Sequence, residues 1–81
     1  MRVYHVCGIS KFKRYLATGR ILKPVRAWRS IFSAEEFSQS TGRQIILCLK
    51  FPQDAKKLDG HKGGAVYLDH DYDLPKELMQ K

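Results

Sequence analysis

Acidic residues are missing from the first 34 positions of this 81-residue chain. The same stretch carries eight basic side chains, whereas residues 35–81 carry seven basic side chains and all eight acidic ones. Charge separated in this way indicates an anionic partner for the N-terminal third, which could be a nucleotide, a nucleic acid or an acidic protein. The alternative is a solvated face that only keeps the chain soluble.

Cysteine is also scarce, and this excludes two classes of small domain. Cys7 and Cys48 lie inside apolar runs, and a single pair is not a disulfide framework. There is no C-x-x-C or H-x-x-x-H spacing, so we expect no metal site. The cysteines are expected to be free and to behave as small hydrophobic residues.

Long apolar runs are absent as well. No stretch approaches the roughly 20 apolar residues needed to cross a bilayer. Lys11, Lys13 and Arg14 interrupt the N-terminal region early, which is unlike a secretory signal. We therefore expect a cytoplasmic protein with no membrane partner.

The length and composition that are present suit one domain over residues 1–81. With 43% hydrophobic and 28% charged residues, the chain has the composition of a folded domain. Eighty-one residues lie near the lower limit for a single core without disulfides or metals.

The N-terminal stretch "VYHVCGISKFKRYLATGRI" predicts a strand followed by a helix. Residues 3–7 alternate in the manner of a strand that Gly8 ends. Ser10 is a candidate N-cap, and Gly19 a natural C-terminal stop. Between them, apolar residues at helical spacing occupy one face, and the other face carries three cations: Lys11, Lys13 and Arg14.

A second helix and two further strands are predicted downstream. Residues 21–30 are expected to form a loop or short extended segment. Ser33 and Glu36 have the spacing of a capping box, with Phe32 and Phe37 as its hydrophobic staple. This helix should end near Gly42.

The run "RQIILCLKF" is apolar on both faces and predicts a central, covered strand. "AVYLDHDY" predicts a weaker strand, and Asp73 is expected to cap a following turn. The element order indicates an α+β domain, a small single sheet, mixed or antiparallel, with two short helices packed on it. Within that sheet we expect residues 44–51 to form the central strand and to pair with residues 3–7.

His5 is the candidate site residue of the first strand. Gly8 would let a ligand approach the backbone where the helix presents free amides to an anion. We therefore expect His5 in a cleft, with Gly8 and the start of the Ser10 helix on its rim. The alternative is a buried histidine bonded to a neighbouring carbonyl.

Arg26, Trp28 and Arg29 interleave an aromatic ring with cations, a pattern suited to stacking on a base while pairing with phosphate. Core packing is the alternative for Trp28. Lys11, Lys13 and Arg14 are expected to bind phosphate or nucleic acid on the same continuous surface as Arg26 and Arg29.

Three stretches carry a family resemblance: "YHVCGISKFKRYLATGRI", "IFSAEEFSQSTGRQIILCLKF" and "AVYLDHDYDLPKELM". Together they resemble a compressed ADP-ribosyltransferase-like fold, nearest to the branch of DarT-type toxins and RNA 2′-phosphotransferases. The resemblance implies NAD as the cofactor, His5 on the nicotinamide-side ribose and Gly8 lining the same pocket. It also implies Phe32 and Ser33 as a second wall and residues 73–78 as a closing turn.

The chain departs from this family pattern at two positions. Cys7 stands where threonine is usual, and Ala65 stands in place of the catalytic glutamate. Because an oxocarbenium-like transition state needs a nearby anion, ordinary ADP-ribosyl transfer is in doubt.

Three functions follow, in order of preference. The first is a binding module for a phosphate-rich ligand, either a nucleotide or a nucleic acid. The second is a transferase-like or phosphotransferase-like enzyme acting on NAD or RNA, with His5 as the candidate catalytic residue beside Arg26 or Arg29. The third is an inhibitor or accessory protein whose cationic face meets an acidic protein. Salt dependence separates the first from the others.

Overall fold

The computed structural model describes residues 1–58 and 64–75. This part of the chain forms two helices, a five-stranded antiparallel sheet and a two-stranded sheet, which confirms the α+β class. In chain order the elements are β1 (Arg2–Cys7), α1 (Ile9–Thr18), β2 (Arg20–Ile21), β3 (Val25–Trp28), α2 (Ile31–Thr41), β4 (Ile45–Lys50), β5 (Lys56–Lys57), β6 (Ala65–Leu68) and β7 (Tyr72–Asp73).

The larger sheet has the strand order β4-β1-β3-β6-β5. The predicted pairing of the first strand with the 44–51 run is confirmed, with Val3 opposite Leu49 and Cys7 opposite Ile45. The central position of that run is wrong, because β4 lies at the edge and β3 is central. Cys48 is exposed on one face of β4. The apolar residues on both faces of this strand therefore did not indicate that both faces are buried.

One face of the sheet carries the main core. Alternate residues of the strands point to this face, where they join Tyr15 of α1 in one cluster. The most deeply buried members are Val3, Val25, Leu49 and Val66. Helix α1 ends at Gly19, as predicted, whose positive φ of 78° lets its amide donate to the Tyr15 carbonyl.

Helix α2 covers the opposite face. Trp28 points away from the core cluster, and its ring lies 5.6 Å from the ring of Phe37. The predicted end at Gly42 is confirmed by a left-handed cap, but the predicted start is wrong. The helix begins at Ile31 with Ser30 as N-cap and no side-chain capping bond, and Phe32 is 75% exposed, so it does not form the staple.

The C-terminal strands differ from the expectation. The predicted strand over "AVYLDHDY" stops at Leu68, and the chain then bends before β7 pairs with β2. Asp73 lies in β7 opposite Arg20. Residues 76–78 of the closing turn that the resemblance implied lie outside the described residues.

Both cysteines are free, Cys7 buried and Cys48 exposed. Within residues 1–58 and 64–75, no helix is long and apolar enough to span a membrane.

Candidate functional site

The candidate site is an open groove at the place where two neighbouring strands of the large sheet separate. β1 and β3 are in register at Tyr4 and Trp28. Toward the end of β1 and the start of β3, a groove of about 960 Å³ opens. Its walls also include the first turn of α1 and the segment from Gly42 to Gln44 that leads into β4.

Six basic residues line this groove, and no aspartate or glutamate does so among the residues that the structure describes. The six are Lys11, Arg14, Arg20, Lys23, Arg26 and Arg43. Arg20 has carboxylate neighbours, with Asp71 and Asp73 each 3.9 Å away. The other five have no ion-pair partner in the described part of the chain. We call these five residues the groove cations: Lys11, Arg14, Lys23, Arg26 and Arg43.

His5 lies on the inner side of the groove and is 8% exposed. Nδ1 lies 2.6 Å from the carbonyl oxygen of Arg26, and Nε2 lies 3.2 Å from the hydroxyl of Tyr15. Because a carbonyl only accepts, Nδ1–H is the donor, and in the neutral ring Nε2 accepts from the Tyr15 hydroxyl. His5 therefore connects β1 to β3 and to α1.

His5 and Gly8 both line the groove, but the His5 ring is buried and bonded to the Arg26 carbonyl, as in the alternative of a buried histidine and not as in the expected open cleft. Both ring nitrogens are engaged within the protein. Burial lowers the pKa of His5 below its ordinary 6.5. The hydrogen bond to the Arg26 carbonyl partly offsets this effect, and the charges of Lys11 and Arg43 lower the pKa by smaller amounts. His5 is therefore neutral at pH 7. Its part in ligand binding stays a prediction.

Tyr15 and Cys7 are two ionisable groups near His5 that carry no charge in their protonated form. Burial raises the pKa of the Tyr15 hydroxyl and of the Cys7 thiol. Both groups are therefore uncharged at neutral pH, and Cys7 is a poor nucleophile because reactivity follows the thiolate.

Gly8 gives the groove an open stretch of backbone. A Cβ added at this position would meet no atom within 4 Å. Gly8 is also the N-cap of α1, whose first turn carries no acidic residue. The first backbone amides of this helix have no helical acceptor, and the helix dipole favours an anion at this end. An anion can therefore approach the groove backbone without displacing a side chain.

Aromatic rings form part of the wall on the α2 side. Trp28 and Phe37 both line the groove and are half-buried. The guanidinium of Arg43 lies over the Phe37 ring, 5.5 Å from its centroid. This contact holds a cation at the edge of the groove while leaving its charge unneutralised.

The structure brings together six of the nine residues that the sequence singled out. These are His5, Gly8, Lys11, Arg14, Arg26 and Trp28. Lys13, Arg29 and Ser33 are not among the lining residues. The residues implied as a second wall by the resemblance, Phe32 and Ser33, are thus not part of this groove. That all five N-terminal cations share one continuous surface stays a prediction.

Sequence reasoning missed Lys23 and Arg43. Lys23 was assigned only to a loop, and Arg43 lies outside the acid-free segment that drew attention. A signal for Arg43 did exist. Once residues 44–51 pair antiparallel with residues 3–7, the start of the later strand must lie beside the end of the first, next to Gly8.

No protein-family model, curated protein or solved structure matches this chain. The resemblance to the ADP-ribosyltransferase-like fold therefore stays a prediction, as does the role of NAD. Ala65, which the resemblance would place at the position of the family glutamate, lines the same groove as His5.

Proposed function

We propose that the groove binds a phosphate-rich ligand, either a nucleotide or a nucleic acid. The observation that carries this proposal is its charge: six basic side chains and no carboxylate among its described lining residues. Guanidinium and ammonium groups bind phosphate through charge-assisted hydrogen bonds, and the fork of an arginine can contact two phosphate oxygens at once.

The shape of the site strengthens the electrostatic argument. Cations around a concave, partly apolar surface focus their field into the groove, because the protein wall screens charge less than water does. The groove cations come from α1, from the segment before β3, from β3 itself and from the segment before β4. A ligand with several phosphates would meet cations on more than one side.

The half-buried Trp28 and Phe37 supply an apolar surface in the same groove. Nucleobases bind such rings by stacking, and a basic groove with aromatic walls is typical of proteins that bind single-stranded nucleic acid. An acidic protein partner would also be attracted by the cations, but its carboxylates would not stack on the aromatic wall as nucleobases do.

A fluorescence anisotropy titration tests the proposal. Labelled single-stranded DNA and RNA oligonucleotides are titrated with the protein over a salt series, with ATP and an acidic peptide as unlabelled competitors. If all five groove cations contact phosphate, the logarithm of affinity should fall against the logarithm of salt with a slope of about −3.5. Competition by the peptide alone would contradict the proposal, as would binding that is insensitive to salt.

The chain offers a matched pair of lysines for this experiment. Lys11 and Lys13 are both exposed on α1, but only Lys11 lines the groove. Lys11→Gln should weaken oligonucleotide binding roughly tenfold, the size of one charge-assisted contact, and make the salt slope shallower by about 0.7. Lys13→Gln should change both quantities much less. Equal losses of affinity in the two variants would show that binding depends on the total charge of the helix and not on the groove.

A further inference from the structure

His5 occupies a position from which it can respond to a ligand in the groove. It lies at the point where β1 and β3 separate, and its two hydrogen bonds join three elements that carry groove residues. A buried polar group that is bonded on both sides is held in one orientation. The ring therefore stays in place when the charge in the groove changes, and its protonation state responds to that change.

The groups that face His5 from the neighbouring elements are few. Lys11 of α1 and Arg43 before β4 are the charged ones that act on it. Tyr15 of α1 and Cys7 of β1 are uncharged at neutral pH, and β3 contributes the Arg26 carbonyl. On β4 the residue opposite is the apolar Leu47. In the described part of the chain, no carboxylate balances the two cations beside this ring.

We propose that binding of an anionic ligand in the groove is coupled to uptake of one proton from solvent by His5. This inference rests on the proposed function of the groove. In the free protein, Lys11 and Arg43 oppose a third positive charge beside them. A bound phosphate neutralises those cations and adds negative potential, which favours the imidazolium form.

The hydrogen bonds can accommodate the added proton. Nδ1–H continues to donate to the Arg26 carbonyl, and the new Nε2–H donates to the Tyr15 hydroxyl oxygen, whose own hydrogen turns away. A hydroxyl both donates and accepts, so the bond between His5 and Tyr15 is kept with its direction reversed. By linkage, a ligand that raises the proton affinity of His5 must itself bind more tightly as the pH falls.

The test is an NMR titration of the His5 imidazole in the wild-type protein, free and saturated with pentathymidylate. The phosphodiesters of this probe keep a constant charge between about pH 5 and pH 8, so the protein alone titrates. We expect the His5 midpoint to rise by at least about half a pH unit in the complex. An unchanged or lower midpoint would overturn the inference while leaving the binding groove in place. Absence of any pentathymidylate binding at low salt would instead overturn the proposed function, and the inference with it.

Two histidine variants give an independent readout. His5→Gln keeps an amide donor and an acceptor at the same place, whereas His70 is well exposed and does not line the groove. Affinity of the wild type and of His70→Gln should rise about three- to tenfold from about pH 7.5 to about pH 5.5, within the limit for one linked proton. His5→Gln should lose most of that rise. A full rise in His5→Gln would contradict the inference, and if this variant fails to fold, the wild-type titration decides.

Discussion

Two groups of basic side chains in this protein differ in what neutralises them. Around the groove, five cations have no carboxylate partner among the described residues. Near the C-terminal strands the opposite holds. Lys56 lies 2.9 Å from Asp69, and Arg20 lies 3.9 Å from both Asp71 and Asp73. Asp69, Asp71 and Asp73 thus lie beside cations near their own strands, and the charge of the five groove cations stays exposed to an outside anion.

The ion pairs of Lys56 and Arg20 with their aspartates, which we call the paired region, contribute little to the stability of the fold. The hydrogen bond from Lys56 raises its own pKa and lowers the pKa of Asp69, yet both side chains are largely exposed. Exposed ion pairs are screened by water and salt, and they contribute little to folding. In this protein, these pairs neutralise cations and carboxylates locally, so that the paired carboxylates do not neutralise the groove cations.

The largest effect is expected from reversing one groove charge. Arg26→Glu places a carboxylate inside the groove, where it repels phosphate as well as removing a contact. We expect a loss of about a hundredfold in oligonucleotide affinity, measured by anisotropy at fixed low salt. Arg29→Glu is the matched control, since Arg29 is an exposed arginine of the same region that does not line the groove. Similar losses in both variants would show that total charge, and not the groove, governs binding.

The second effect concerns the residue beneath the groove. His5→Ala leaves the Arg26 carbonyl and the Tyr15 hydroxyl without their partner. We expect a loss of about 1–3 kcal/mol in the free energy of unfolding at about pH 7.5, measured by urea denaturation.

The pH dependence of this loss has a definite sign. The pKa of His5 is lowered in the folded protein, so the unfolded chain takes up a proton near pH 6.5 before the folded chain does. The stability that His5 contributes is present above pH 6.5 and is lost as the pH falls through its folded pKa. The gap between wild type and His5→Ala should therefore narrow from about pH 7.5 to about pH 5.5. A gap that widens on acidification would contradict the lowered pKa of the buried His5 ring.

The smallest effect is expected in the paired region. Lys56→Gln breaks the contact with Asp69 at an exposed position that does not line the groove. We expect no measurable change in melting temperature at moderate salt and no loss of oligonucleotide affinity. A large loss of affinity would extend the binding surface to β5 and remove the distinction between the two regions.

Local patterns predicted most of the elements but not the order of the strands. Alternation over residues 3–7 and the stops at Gly19 and Gly42 are confirmed. The capping box at Ser33 is wrong, since the N-cap is Ser30 and the helix starts at Ile31, three residues earlier than a Ser33 cap implies. The central strand was missed because β3 has only four residues, directly after Pro24, which are too few to show a clear alternation of apolar and polar side chains. Its position is set by pairing with β1 on one side and β6 on the other.

The amino-acid sequence by itself determined the α+β class, the pairing of its two longest strands and the excess of positive charge in its first third. The class and the charge excess follow from local side-chain periodicity and composition, and the pairing follows from the apolar character of the two runs. The tertiary structure decided that the groove opens where β1 and β3 separate, and that Arg43 joins Lys11 and Arg26 there. It also decided that His5 is bonded on both ring nitrogens. Those contacts join residues far apart in the chain, and only the packing of strands and helices brings them within bonding distance.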